Sequence, residues 1–252
     1  MRVLNNACNE RMEDEEHAAQ PLAGGIAQQG YQCGMIWGAA LAAGAEAYRR
    51  FGAGPEAETR AVVAARRLFD VFRAQNRHTD CFDITSLDDR SSALKMVAVF
   101  LIKGQTVACL RMAARYAPAA LREIDAAMSE PAVEALPAPA SCAAMLARRM
   151  GASDQHAVMA AGLAGGIGLS GGACGALGAA IWIQGLKLLE EGGKVAYKSK
   201  RALDAIESFL KCTNYEFECS AIAGRKFESV GDHARYLREG GCAKVVDALA
   251  TA

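Results

Sequence analysis

Nine cysteines hold most of the reactive chemistry of this chain: Cys8, Cys33, Cys81, Cys109, Cys142, Cys174, Cys212, Cys219 and Cys242. A thiol that loses its proton is both a nucleophile and a soft metal ligand. Three readings therefore compete: small packing residues, a thiol–disulfide centre, or a metal site. The familiar local signatures are missing. No CxxC occurs, which removes the thioredoxin-like pair, the zinc knuckle and the clustered ferredoxin loop. Neither CxxCH nor HExxH is present. A GxGxxG at Gly166, Gly168 and Gly171 lacks a preceding strand-like run, so it does not make a dinucleotide site. The N-terminal stretch MRVLNNACNERMEDEEH has no apolar signal core and turns acidic at once. The expectation is a cytoplasmic, reducing setting, in which structural disulfides are rare.

Any site built from these thiols must draw on distant stretches, and the chain is a tandem repeat. The segment PLAGGIAQQGYQCGMIWGAALAAGAEAYRRFG, from Pro21 to Gly52, resembles GLAGGIGLSGGACGALGAAIWIQGLKLLEEG, from Gly162 to Gly192. Both carry Leu-Ala-Gly-Gly-Ile, and the spacing from Gly25 to Cys33 equals that from Gly166 to Cys174. His17 and His156 precede the two segments. Downstream, Cys81 answers Cys219 and Cys109 answers Cys242; upstream, Cys8 answers Cys142 and Cys212 is left over. Cys8 lies nine residues before His17, whereas Cys142 lies fourteen before His156. Three prolines between Met128 and Pro139 forbid a regular helix there. The repeats are thus residues 1–130 and 138–252, expected to pack as one pseudo-twofold body.

The elements that must position the thiols read as all-α. Apolar residues recur at helical period over 59–74 and 199–211, and helices are also expected over 91–101, 106–126, 140–150, 177–189, 233–237 and 243–249. Asp88-Asp89 is the expected cap of the 91–101 helix, Pro118 the expected break in 106–126, and Ser153 the cap of a helix carrying His156 in its first turn. Two stretches without a charged residue, 18–45 and 157–186, are long enough to span a bilayer. Their paired glycines and sparse aromatic or basic flanks favour buried helical hairpins instead. With 28 basic and 28 acidic side chains the formal net charge is zero, which argues against nucleic acid and against electrostatic recruitment to a membrane.

Cys33 and Cys174 fall where a glycine-rich turn becomes a helix, so unpaired first-turn amides are expected to stabilise their thiolates and make them the nucleophilic pair. Four thiolates per repeat match the ligation of a [2Fe–2S] or [4Fe–4S] cluster. The expected ligands are Cys8, Cys33, Cys81 and Cys109 in one half and Cys142, Cys174, Cys219 and Cys242 in the other. Amides of Gly171 and Gly172, or of Gly30, are expected to hydrogen-bond the sulfurs, with His156 and His17 as further ligand or proton-carrier candidates. A four-thiolate zinc site fits the ligand count but normally uses CxxC pairs. A metal-free dithiol–disulfide oxidoreductase and an inert helical scaffold remain as alternatives.

The second half, from Ala140 to Ala250, resembles the redox-active proteins named for the pattern C–GCAxxG–C–C, through Cys142, the run AAGLAGGIGLSGGACGALGAA, Cys219 and Cys242. The first half resembles a diverged copy. Neither Cys-Gly-Ala-Leu-Gly at 174–178 nor Cys-Gly-Met-Ile-Trp-Gly at 33–38 is a literal GCAxxG. The resemblance implies redox work, with a protein or small-molecule electron donor or acceptor as partner. An oxidoreductase of unknown substrate and a homodimer are both compatible with it.

Overall fold

The computed structural model describes residues 1–8, 11–131 and 138–251. The described residues form two sets of seven helices in matching order. The first set is α1 (Arg2–Ala7), α2 (Glu13–Ala18), α3 (Gly34–Phe51), α4 (Pro55–Gln75), α5 (Cys81–Thr85), α6 (Ala93–Val97) and α7 (Gln105–Ser129). The second is α8 (Cys142–Arg149), α9 (Asp154–Ala161), α10 (Gly175–Glu190), α11 (Lys200–Cys212), α12 (Cys219–Ala223), α13 (Val230–Arg238) and α14 (Ala243–Ala250). No strand occurs among the described residues; two isolated antiparallel bridges, Gln32 to Asp80 and Ala173 to Glu218, repeat at equivalent places.

The repeats interleave. Helix α3 packs on α4 and α7 of its own repeat, and α10 packs likewise on α11 and α14. Each also receives a short helix from the other half: α9 lies on α3, and α2 lies on α10. Glycines permit both crossings. A Cβ on Gly44 would stand 2.5 Å from the Met159 backbone, and one on Gly185 would stand 2.9 Å from the Ala18 carbonyl oxygen. Near the pseudo-axis the Trp37 ring lies over Gly178. The buried Gln32 reaches across, its amide donating to the Gly166 carbonyl at 3.2 Å and its oxygen accepting from the Ala173 amide at 2.9 Å. Tyr31 stacks on Phe217 at 4.2 Å. The core is alanine-rich, as the low aromatic content requires, with Trp37, Trp182, Phe72 and Phe209 as its large members.

Three local expectations change. Helix α7 runs through Pro118 without a break. The amide lost at Pro118 is the one that would bond the carbonyl of Ala114, a residue on the exposed side of the helix. Ser92, not Asp88-Asp89, caps α6, accepting from the Lys95 amide at 3.2 Å; Asp88 instead accepts from the Ser91 hydroxyl. The expected 91–101 helix also widens into a π-helical turn at Ala98–Ile102. Ser153 does cap α9, at 3.1 Å from the His156 amide. Among the described residues no single helix is long and apolar enough to cross a membrane; residues 93–102 and 105–129 pass that test only as a pair bent by 62°.

Candidate functional site

Each glycine-rich loop ends in a left-handed turn. Gly24, Gly25, Ile26, Ala27 and Gln28 all have positive φ, and so do Gly165, Gly166, Ile167, Gly168 and Leu169. Five consecutive residues of this hand cost roughly 1–2 kcal/mol for each that is not glycine. A β-branched isoleucine held there twice marks a conformation the surroundings impose. The turns are closed alike, by the Gly30 amide on the Gly24 carbonyl at 3.0 Å and the Gly171 amide on the Gly165 carbonyl at 2.9 Å. Both loops then reverse and hand the chain to α3 or α10 at Cys33 or Cys174.

The bridges fix a second thiol beside the first. The Cys33 amide donates to the Thr79 carbonyl at 2.8 Å and the Cys81 amide to the Tyr31 carbonyl at 2.7 Å. In the second repeat the Cys174 amide donates to the Phe217 carbonyl at 2.9 Å and the Cys219 amide to the Gly172 carbonyl at 2.7 Å. Gly171 and Gly172 therefore position the site through their carbonyls, which accept from Ser220 and Cys219. The amides of Gly171 and Gly30 are used inside their own loops and do not reach a sulfur. The donors to sulfur are others: the Gly165 amide at Cys142, those of Ala176 and Leu177 at Cys174, and that of Met35 at Cys33. The Tyr236 hydroxyl hydrogen-bonds Cys242.

Four thiols meet in the second repeat: Cys142, Cys174, Cys219 and Cys242 come close enough to repel one another as thiolates. Cys142 and Cys219 are buried in an apolar cluster with Leu169, Phe227, Val230, Leu237 and Val62, the last contributed by α4 of the first repeat. Only three meet in the first repeat, Cys33, Cys81 and Cys109, which line a cavity of about 520 Å3. Cys8 does not join them. It follows α1 and lines a separate hollow with Glu46, Arg49, Arg50 and Asp125. Cys142 opens α8, whereas Cys8 stands at the far end of the matching helix, so the unequal spacing to the histidines was a true displacement.

The two candidate histidines, His156 and His17, lie apart from the thiols. His156 meets the Glu15 carboxylate at 3.2 Å and stands edge-on to Trp182, joining the two repeats. His17 is exposed. No disulfide links the nine cysteines. Among the described residues no three His, Cys, Asp or Glu side chains are drawn tightly enough to hold a single metal ion. Burial overturns the expected thiolate stabilisation. It pushes Cys33 and Cys242 up to about 12 and raises Cys142, Cys174 and Cys219 as well, outweighing the amides that point at sulfur.

A family model described as "Putative redox-active protein (C_GCAxxG_C_C)" matches residues 1–120 and again residues 139–252. The chain belongs to this family, as a tandem duplication. Its redox character follows from that membership and from the converging thiols. No curated protein and no solved structure matches the chain. Four residues of the C_GCAxxG_C_C centres escape the cysteine pattern. Tyr236 lies six residues before Cys242, and Tyr197 reaches the first repeat's cavity from the loop between α10 and α11. Tyr116 stands near Cys33, its hydroxyl on the Leu68 carbonyl at 3.1 Å. Gln28 also lines that cavity, and only its alignment with Leu169 could have flagged it.

Proposed function

We propose that the protein transfers electrons and that its second repeat holds an iron–sulfur cluster on Cys142, Cys174, Cys219 and Cys242. The observation that carries this reading is the convergence of four thiols, at the starts of α8, α10, α12 and α14, close enough to act on one another as thiolates, with Cys142 and Cys219 buried in one apolar cluster against which Cys242 packs. The donor set suits the group: four soft ligands, and no carboxylate or lysine is among the groups that act on them. Such a cluster supplies one-electron oxidation and reduction. The chain's own residues set the conditions. Phe227, Val62 and Leu169 exclude water, and the amides of Gly165, Ala176 and Leu177 with the Tyr236 hydroxyl withdraw electron density from the sulfurs. The raised thiols mean that loading must release protons, so incorporation is favoured as pH rises. The electron partner is a protein or a small molecule.

Purification without oxygen, with a visible spectrum and iron and acid-labile sulfide assays, tests the proposal. About two or four irons per filled centre with matching sulfide are expected. Cys219→Ser should remove them and Cys8→Ser should not. Colourless, iron-free protein that also resists reconstitution sinks the cluster reading. A thiol count before and after reduction would then test the dithiol reading, in which Cys33 and Cys174 attack and Cys81 and Cys219 resolve.

A further inference from the structure

The duplication supplies an internal reference for the first repeat. At equal offset, Gly24 answers Gly165, Gln28 answers Leu169, Cys33 answers Cys174 and Met35 answers Ala176. In the second repeat Leu169 is buried beside Gly165 and among the thiols, and the segment of Phe227, Val230 and Leu237 closes over them. In the first repeat the same frame is left open. Gln28 stands where Leu169 would be, and the place beside Gly24 is taken by the Tyr197 hydroxyl of the other repeat, which a Cβ on Gly24 would displace. Two hydrogen-bonding groups have replaced an apolar filler.

The resulting cavity, about 520 Å3, is walled by Met35, Leu87, Met96 and Phe100 as well as by Cys33, Cys81 and Cys109. That volume lies inside the range of roughly 300–1,000 Å3 typical of small-molecule sites, which are mostly apolar with a few placed polar groups. Gln28 is spent on structure, its amide donating to the Asp88 carbonyl at 2.7 Å and the Met96 sulfur at 3.3 Å, and so tying the outer wall to the floor. Thr85 is spent likewise, its hydroxyl donating to the Cys81 carbonyl at 2.7 Å, and among the hydroxyl and amide side chains of the wall that leaves Tyr197 as the polar handle. We propose that the first repeat binds a small, uncharged, largely apolar molecule bearing a carbonyl-type acceptor, seated against the three thiols with the Tyr197 hydroxyl donating to it. This site is separate from the four-thiol centre and does not depend on its holding iron.

The test is calorimetric titration of the full chain with 2,3-dimethyl-1,4-naphthoquinone, a neutral probe whose ring carbons are closed to thiol addition, beside naphthalene, which has no acceptor. One quinone per chain is expected. Met96→Trp, which fills the cavity from its half-buried outer wall, should weaken binding at least about tenfold, a loss expected when a small apolar site is occupied. Tyr197→Phe should weaken the quinone about fivefold, as for one lost hydrogen bond, and leave naphthalene unchanged. Ala114→Trp, in the neighbouring apolar groove of α7, should leave both probes unchanged. Cys219→Ser should strip iron without altering quinone affinity, so the two proposals fail separately. The inference is overturned if the quinone does not bind the folded chain, or if Tyr197→Phe weakens both probes alike. It is equally overturned if Ala114→Trp rather than Met96→Trp abolishes binding, or if binding appears only where the protein self-associates.

Discussion

Gly44→Ala reads the interleaving of the repeats directly. In an isolated or exposed helix this change stabilises, because alanine gains about 1 kcal/mol over glycine in helix propensity. Here the new methyl would sit 2.5 Å from both the Cα and the carbonyl oxygen of Met159 and 2.6 Å from the Val158 carbonyl oxygen. Those are backbone atoms of α9, which cannot rotate aside, so α3 and α9 must move apart. Overpacking of a well-filled core costs about 1–3 kcal/mol, more when backbone must shift. The net expectation is a loss of about 1–2 kcal/mol, or a fall in melting temperature of about 2–8 °C for a chain of this size. Gly185→Ala, at the pseudo-equivalent crossing, meets Ala18 atoms at 2.9–3.1 Å and should cost less. Trp37 and Trp182, one buried in each repeat, report the transition in urea. Both should lose their buried emission together, since α9 and α2 are each needed by the other half. A Gly44→Ala protein that melts higher would refute the close crossing, and two separated transitions would refute the single interleaved body.

Three further outcomes follow from individual contacts. Glu58 is buried and its carboxyl is pushed up by burial, although Arg148 reaches it at 2.7 Å across the repeat interface. The folded chain therefore takes up that proton at higher pH than the unfolded chain, and the cost of keeping Glu58 charged grows as pH rises through that window. Arg148→Met should cost about 1–3 kcal/mol at pH 8, the half-exposed partner moderating the usual penalty, and less at pH 5, as read by urea melts at both. A thiol pushed from 9.0 up to about 12, as Cys33 is, has about a thousandfold less thiolate at neutral pH. Iodoacetamide followed by peptide mapping should thus label half-buried Cys212 well before Cys33 or the buried Cys142, Cys174 and Cys219. Tyr236→Phe removes the hydroxyl donor to Cys242, so the reduction potential of the loaded second centre should fall in a spectroelectrochemical titration while its iron content holds.

The sequence made some of this legible for identifiable reasons. Equal spacing from Gly25 to Cys33 and from Gly166 to Cys174 does reflect one duplicated turn, because a left-handed loop closed by its own amides tolerates no insertion. Cys8 broke that equality, at nine residues to His17 against fourteen to His156, and it stands at the far end of the helix that Cys142 opens in the other repeat. What failed was inference from local rules where tertiary context decides. First-turn amides do point at Cys33 and Cys174, yet burial of the thiols in an apolar body outweighs them. Pro118 removes one hydrogen bond and crowds the Ala114 carbonyl, yet α7 continues through it, with Ala114 on the exposed side of the helix. Tyr197 could not be found at all, since it lies in a charged loop of the other repeat and nothing along the chain ties it to Cys81.

Duplication also explains why the two centres are free to differ. The strained turn, the bridge and the helix start are kept in both copies, so the pair Cys33 and Cys81 is held as firmly as Cys174 and Cys219. What differs is everything that closes over the pair. In the second repeat α8 brings Cys142 to the site and α13 packs on α4, sealing the thiols. In the first repeat the matching segment at 93–102 leaves Leu94, Leu101 and Ile102 exposed by 82%, 73% and 79%. A buried site with three thiols in place of four leaves a space that its surroundings close only in part. Here that space is edged by a tyrosine reaching in from the other half and held open by Gln28 on Met96 and Asp88. A copy that had merely decayed would have no reason to recruit a hydroxyl across the interface, so the open cavity is built rather than left behind.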